Sequence, residues 1–520
     1  MSLARPPRRV LLVNPKMCSE RSMRLPISLL ALGAVLEERY EYHILDGNID
    51  PDLAGTVLRA LADEPETLVG VSVMPGPQVA TAIEVSLAVR EAYPQVPILW
   101  GGYFPTMYPD AAINAPYVDY VARGQGEDLL LELLAALPDA GPPPGLLDSA
   151  TDSTAIEGIA GLTWKAGGAV RHNADRHFVS PDAYPPYPYE KAGDVARYLR
   201  PSFMGQRTGV HQAAIGCRYN CEFCGVVSMF NGKTILQGAE RLRAAAGELK
   251  ERWGATAMQY YDNNFFDTEA ASEPLLDALG EVQLPWWCYA RADTLANFST
   301  ATWKKIEASR LSMAYIGAEA GSDAVLKAMK KGSKVEHTFE VARRLWEHKV
   351  IPEFSFVLGG PTDPEGEIEN TLSFIKKIKA IHPTCEVVLY FYSPTPRREK
   401  ATAANKATGL RLPVMDEYGP EGPPLPITPE EWTEPKWINY VCHQDAPWLS
   451  PKLRRRVQDF ATVLGCRFPT VQDYSTPRWG KAMLRTLARW RYETGRYGNP
   501  WELRLARKII PLREPQRESL

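Results

Sequence analysis

Three cysteines fall within eight residues, in Gly216-Cys217-Arg218-Tyr219-Asn220-Cys221-Glu222-Phe223-Cys224-Gly225, spaced C-x3-C-x2-C. Three thiolates on one tight loop suit a cubane cluster of soft iron and leave one iron without a protein ligand. An open coordination site is a catalytic arrangement, whereas a structural zinc site would want a fourth ligand. His211, the nearest histidine, lies upstream of the cysteines and off the usual zinc spacings. Structural zinc and inert buried thiols are the competing readings. The other five cysteines are scattered and read as small buried hydrophobes. Of these, Cys288 and Cys385 fall in or beside predicted strands and could face a cavity.

The loop needs a frame. The chain has 520 residues, 45% hydrophobic and 23% charged, with a net charge of −3. At roughly 150 residues per domain this predicts about three folding units. The charge balance points away from nucleic-acid binding, where a basic excess is expected. No apolar run approaches the ~20 residues of a bilayer span, and residues 10–13 are too short for a signal-peptide core. These features predict a cytoplasmic chain with reduced thiols.

Residues 1–138 alternate strands (9–14, 41–45, 68–73, 97–101, 118–122) with helices, the pattern of a doubly wound parallel sheet. Ligands of such sheets sit beyond the carboxyl ends of the strands. Asn14, Pro15, Met74, Gly101, Gly102, Gly124 and Gly126 stand there. Residues 139–210 read as a linker and small β region, with a hairpin at Gly167-Gly168 and an extended Pro/Tyr stretch at 184–189. From 211 to 395 the alternation returns, with strands at 212–216, 257–261, 286–290, 313–316, 353–357 and 386–392. Six βα units predict a partial (β/α)6 barrel, whose site lies at the C-terminal ends of its strands. The cysteines follow the first of these strands. Residues 396–520 read as a mainly helical cap, set off by a Pro/Gly-rich stretch at 419–429. Its Trp/Arg stripe, from Trp479 to Arg507, is read as a cap packed on the barrel with a solvated basic face, in preference to a membrane-interface or anion-binding surface.

The cysteine loop, with Phe223 before its third cysteine, resembles the signature of the radical S-adenosylmethionine (SAM) superfamily. Other segments are similar to that family's later strands: Tyr261-Asp262-Asn263-Asn264-Phe265, Ala290-Arg291-Ala292-Asp293, Tyr315-Ile316-Gly317-Ala318-Glu319 and Phe356-Val357-Leu358-Gly359-Gly360-Pro361. The resemblance implies a [4Fe–4S] cluster on Cys217, Cys221 and Cys224. The free iron would chelate SAM, which is cleaved to a 5′-deoxyadenosyl radical. It places Phe223 near the adenine and Glu319 on SAM, where a carboxylate accepts hydrogen bonds from a ribose hydroxyl or the ammonium. Asp262 and Arg291 are cofactor-binding candidates that buried ion pairing would explain equally well.

The resemblance extends upstream. Val13-Asn14-Pro15, Leu45-Asp46-Gly47-Asn48, Gly101-Gly102-Tyr103-Phe104-Pro105-Thr106 and Arg123-Gly124-Gln125-Gly126-Glu127 are similar to the cobalamin-binding domain that precedes many radical SAM barrels. The Asp-x-His-x-x-Gly motif that supplies a histidine to cobalt in other cobalamin domains is missing, and His43 reads as a strand residue. Over residues 9–395 the chain resembles the class of the anaerobic Mg-protoporphyrin monomethyl ester cyclase and the cobalamin-dependent methyltransferases. That class implies methylation of an unactivated carbon, or else oxidation or cyclisation without methyl transfer. A non-catalytic sensor is the reading from another class, and it would not need a SAM site. The implied partners are a small-molecule or peptide substrate and a reductant such as flavodoxin or ferredoxin. The usual last-strand Pro-Gly-Thr is replaced by Pro396-Arg397-Arg398, so the resemblance does not carry a substrate.

Overall fold

The computed structural model describes residues 9–140, 154–392, 426–442 and 449–512, apart from residues 65, 222, 231, 361–362 and 474. Most of the predicted linker, Pro361 of the Gly-Pro segment, the 394–398 segment and the 419–429 stretch up to residue 425 lie outside the described residues.

The first sheet has seven strands: β1 (Arg9–Asn14), β2 (Glu41–Asp46), β3 (Thr67–Ser72), β4 (Ile98–Gly101), β5 (Tyr120–Ala122), β6 (Leu162–Ala166) and β7 (Ala169–His172). Their spatial order is β2-β1-β3-β4-β5-β6-β7. β1 to β5 are parallel. β1 is a near-continuous apolar run because helices cover both faces of such a sheet; Val10 to Val13 are fully buried. The hairpin at Gly167-Gly168 is not a separate small unit. Its strands β6 and β7 join the same sheet antiparallel, β6 pairing with β5.

The second sheet takes β8 (Thr208–His211), β11 (Ala257–Tyr260), β12 (Trp286–Arg291), β13 (Leu311–Glu319), β14 (Ile351–Leu358) and β15 (Glu386–Phe391), neighbouring in that order and all parallel. This is the open six-strand barrel wall that the alternation predicts, with one shift. The first strand is β8, not 212–216. The chain leaves the sheet after His211, and β9 (Ala214–Gly216) pairs antiparallel with β10 (Thr234–Leu236). The cysteine loop is therefore carried on a two-stranded ribbon beside the barrel mouth.

The two sheets are tied together. Met23 and Leu25 are buried in the barrel's core. Arg24 donates to Gln259 Oε1 and Tyr261 Oη, both at 3.1 Å. Tyr198 Oη donates to the buried Asp46 carboxylate at 2.9 Å. The C-terminal region serves both sheets. Trp432, Trp437 and Tyr440 are buried against the first sheet's core, while Val457, Phe460, Leu484 and Leu503 are buried in the barrel's. The helices Arg478–Thr494 and Trp501–Ile509 do pack inward as a cap, but the outward side is not simply basic. Trp479, Trp490 and Trp501 are each more than half exposed.

Candidate functional site

Local hydrogen bonds fix the start of the cysteine loop. The buried Asp262, just past β11, accepts the Ala214 N–H at 2.5 Å, and Asn263 Oδ1 accepts the Gly216 N–H at 3.0 Å. Gly216 has φ +77°, and a Cβ there would lie 2.2 Å from the Lys233 carbonyl oxygen. Only glycine turns the chain this tightly. On the far side the helix Gly225–Phe230 begins directly after Cys224. A Cβ on Gly225 would stand 1.7 Å from Tyr103 Oη, so the first domain presses against the end of the loop.

Cys221 is buried, and Cys217 and Cys224 keep part of their surface accessible. Cys224 nevertheless sits deep: burial, then the neighbouring Cys221, push its thiol up to about 12. Burial also raises Cys217. Thiols held protonated in the bare protein become thiolates when a metal binds them. Among the described residues, no three His, Cys, Asp or Glu side chains close round one point as a single ion requires. A cubane makes a different demand, because each thiolate holds a different iron. His211 points elsewhere, between Tyr189 Oη at 3.1 Å and Gln237 Oε1 at 2.8 Å, and burial lowers it to about 4.

Two buried cations face the loop. Arg291, at the end of β12, places Nη1 3.5 Å from Cys221 Sγ. Its Nε and Nη2 donate to the two Asp293 carboxylate oxygens at 3.0 and 2.9 Å. Its guanidinium lies 3.5 Å over the Tyr219 ring. Burial opposes the charge, but Asp293 outweighs it and holds Arg291 above its ordinary range. Lys331 Nζ donates to Glu319 Oε1 at 2.6 Å, both side chains being at most 7% exposed. Burial opposes this charge too, and Glu319 more than offsets it. The same ammonium lies 5.9 Å over the Phe223 ring.

Glu319 ends β13 in an unusual backbone. Its φ is +60°, the register with β14 shifts between Gly317 and Glu319, and the Ala320 N–H donates to the Ala318 carbonyl at 2.8 Å. This γ-turn is rare and strained for a residue with a side chain. It swings the carboxylate toward Lys331. Gly317 makes the room, since a Cβ there would lie 2.1 Å from Glu319 Oε1 and 2.6 Å from Lys331 Nζ.

Six of the seven residues expected at the cluster and SAM thus converge: Cys217, Cys221, Cys224, Phe223, Arg291 and Glu319. Asp262 does not join them. It lies beneath the loop, holding β9, and burial raises its carboxyl to about 7. A carboxyl protonated in the fold and ionised in the unfolded chain makes stability fall as pH rises between the two values. Unfolding free energy is expected to drop by about 1.4 kcal/mol per unit from about pH 4 to about pH 7 through this group. Asp262→Asn should flatten that slope in denaturant titrations; an unchanged slope would reject the assignment.

A second feature lies at the carboxyl ends of the first sheet. A cleft there, partly open to solvent, has a floor of small residues: Gly70, Ser72, Gly101, Gly102, Gly124 and Gly126. Its walls are apolar, from Leu12, Leu29, Leu32, Leu99 and Leu130. A Cβ on Gly126 would meet Leu32 at 3.2 Å, and Gly102, at φ +99°, would meet the Val73 carbonyl at 3.0 Å. Tyr184 and Tyr187 of the Pro/Tyr stretch form a roof, pinned by Arg241, which donates to the Pro185 carbonyl at 2.7 Å. Gln212, Ile215, Met229 and Phe230 close the barrel side. The glycine floor and apolar walls fit a flat heterocycle on a sugar-phosphate tail, as cobalamin carries. Asn14, Pro15 and Met74 do not line this cleft. They meet at Gln78, whose Nε2 donates to Asn14 Oδ1 at 3.0 Å and the Pro15 carbonyl at 2.7 Å, and whose Oε1 accepts the Met74 N–H at 2.7 Å. His43 is exposed on β2 beside Glu41.

The sequence reading missed Lys331, Tyr103, Gly317 and Gln78. Lys330-Lys331-Gly332 looks like a solvated helix end. Only the fold shows that one of these lysines turns inward.

Comparisons with known proteins agree with both halves. The B12 binding domain family matches residues 24–134, and the radical SAM superfamily matches residues 213–375. An uncharacterized methyltransferase of Pyrococcus horikoshii is 22% identical over 356 residues, 68% of this chain and 73% of that protein. The anaerobic magnesium-protoporphyrin IX monomethyl ester cyclase of Synechocystis is 23% identical over 341 residues, 63% of each chain. The structure of the radical SAM methyltransferase TsrM from Kitasatospora setae, with cobalamin and a [4Fe–4S] cluster bound, superposes with a TM-score of 0.63 at 18% identity. It covers 93% of this chain and 99% of that one, which establishes the shared fold. The chain thus joins a B12 binding domain to a radical SAM domain. Its cofactors are a [4Fe–4S] cluster, SAM and cobalamin.

Proposed function

We propose that the chain is a methyltransferase that places a methyl group on an unactivated carbon of a small-molecule or peptide substrate. One observation carries this reading. The helix that closes the cysteine loop, Gly225–Phe230, is also a wall of the glycine-floored cleft, through Met229 and Phe230. The two cofactor sites share a partition, as a reaction that uses both on one substrate requires. When bound, the cluster and SAM supply a 5′-deoxyadenosyl radical, and cobalamin carries a transferable methyl group.

The chain's own residues do the positioning. Cys217, Cys221 and Cys224 would hold three irons of the cluster and leave the fourth open to SAM. Arg291 sets a positive charge beside Cys221 and is itself fixed by Asp293 and Tyr219. Glu319, aimed by its γ-turn and by Lys331, would accept hydrogen bonds from SAM, and Phe223 would pack on the adenine. Gly101, Gly102, Gly124 and Gly126 let a nucleotide tail approach the backbone, while Asn14, Pro15 and Met74, locked by Gln78, shape the adjoining strand ends. No histidine lines the cleft among the described residues, so this reading gives cobalt no histidine ligand there. The chemistry needs an electron donor, which in this reading is a reductant such as flavodoxin or ferredoxin.

Anaerobically reconstituted enzyme with SAM and a reductant should form 5′-deoxyadenosine, and with its substrate also S-adenosylhomocysteine. 5′-Deoxyadenosine without S-adenosylhomocysteine during substrate turnover would favour oxidation or cyclisation; neither product would sink both. Gly126→Val should weaken cobalamin binding by about tenfold to a hundredfold, from roughly 1–3 kcal/mol of overpacking. Iron content should stay unchanged. Full corrinoid loading of that variant would remove the cleft as the cobalamin site.

A further inference from the structure

The C-terminal helix pair has two apolar sides. One is buried in the barrel's core: Leu484 and Ala488 on Arg478–Thr494, Leu503 and Ala506 on Trp501–Ile509. The other faces solvent. Trp479, Met483, Leu487 and Trp490 recur at i, i+4, i+8 and i+11 on the first helix, and Trp501, Leu505 and Ile509 at i, i+4 and i+8 on the second. Such spacings put each set on one helix face. These seven are more than half of the twelve large hydrophobic side chains exposed among the described residues, in two helices totalling 26 residues. Scattered exposed apolar residues need no explanation, but a concentrated set does.

The charge there is one-sided. Residues 478–510 hold nine Lys and Arg against two acids, a net +7 in a chain of net −3. Both acids are already paired, Glu493 with Arg489 and Glu502 with Arg491. Arg478, Arg485 and Lys508 have no carboxylate partner among the described residues. Arg496 lies 5.2 Å over the ring of the exposed Trp490. Tryptophans beside arginines, leucines below and little acid match a surface with negative charge at its top and hydrocarbon just beneath. No helix among the described residues is long and apolar enough to cross a membrane, so the pair would lie on a bilayer rather than span it.

We propose that this helix pair is a docking surface for anionic phospholipid bilayers. Trp479, Trp490 and Trp501 seat at headgroup level, and Arg478, Arg485 and Lys508 face lipid phosphates. The proposal is independent of the methyl-transfer reading, because it concerns where the enzyme sits and not what it catalyses.

The test is sedimentation of the full reconstituted chain with vesicles of phosphatidylcholine alone or mixed with phosphatidylglycerol. The chain should pellet with the anionic vesicles and much less with the neutral ones. It should be released as salt rises from about 0.1 M to about 0.5 M. Arg485→Glu with Lys508→Glu should weaken binding at least ~tenfold, from a few-fold per charge near the surface. The triple variant Trp479→Ser, Trp490→Ser, Trp501→Ser should lose binding while keeping its iron content, since these side chains touch solvent and not the cofactor sites. An unmodified chain that stays in the supernatant with anionic vesicles at low salt would overturn the proposal. So would variants that bind like the original. If the triple variant instead turns a dimer into a monomer with no lipid effect, a second copy covers the face and the proposal falls.

Discussion

Cys221→Ala should give a folded protein that makes no 5′-deoxyadenosine above the protein-free background. Cys221 is the central thiol of the three and the one within 3.5 Å of Arg291 Nη1. A cubane held at two corners leaves a second iron without a thiolate and exposes the cluster to loss. The fold should survive, because the loop is anchored by Asp262, Asn263 and Gly216 and not by the thiols. The cost of losing one small buried side chain is about 1 kcal/mol. Iron analysis and the visible absorption of the anaerobically reconstituted variant check the first part, and circular dichroism the second. A variant with full iron and undiminished SAM cleavage would refute the ligand assignment. Cys288→Ala and Cys385→Ala, both buried in the barrel's core, are the controls and should keep their iron.

The second large effect lies in the Glu319–Lys331 pair. Lys331→Met should destabilise the barrel by about 3–5 kcal/mol, because it strands a buried carboxylate. Glu319→Gln should do comparable damage by stranding the ammonium. The double variant should recover much of this stability, since removing both charges of a buried pair is often close to neutral. It should not recover SAM cleavage, because the carboxylate we propose to accept from SAM is gone. The midpoint of chemical unfolding, set beside 5′-deoxyadenosine yield, separates the two roles. If the double variant cleaves SAM normally, the pair is structural only. Gly317→Ala should imitate the single variants, because its methyl would occupy the carboxylate's place.

What the sequence made legible follows from which constraints are local. The apolar runs of β1 and β3 and their alternation with helices announced a parallel sheet, because period and length are written in consecutive residues. The cysteine spacing announced a cluster loop for the same reason. The departures are non-local. That 212–216 would leave the barrel could not be read from its apolar composition; it depends on Asp262, some 48 residues later, taking the Ala214 N–H. Lys331 and Tyr103 became site residues only when the fold brought Glu319 and Gly225 to them. The basic stripe of the C-terminal helices was visible, but which of its apolar residues would turn outward depended on the surface of the barrel beneath.

The hairpin β6–β7 bears on how such enzymes could be taken apart and recombined. β5 has no free edge, because β6 covers it, and the outermost strand β7 is short, mostly exposed and carries Arg171 and His172. Short, charged outer strands discourage the sheet from pairing with another molecule. A chimera joined near residue 138, where the parallel alternation ends, would bare three residues of buried strand at β5. A junction placed after His172 would move the cobalamin sheet together with its own seal. The transferable unit is thus defined by where the hydrogen-bonding edge is capped, not by where the repeating pattern stops.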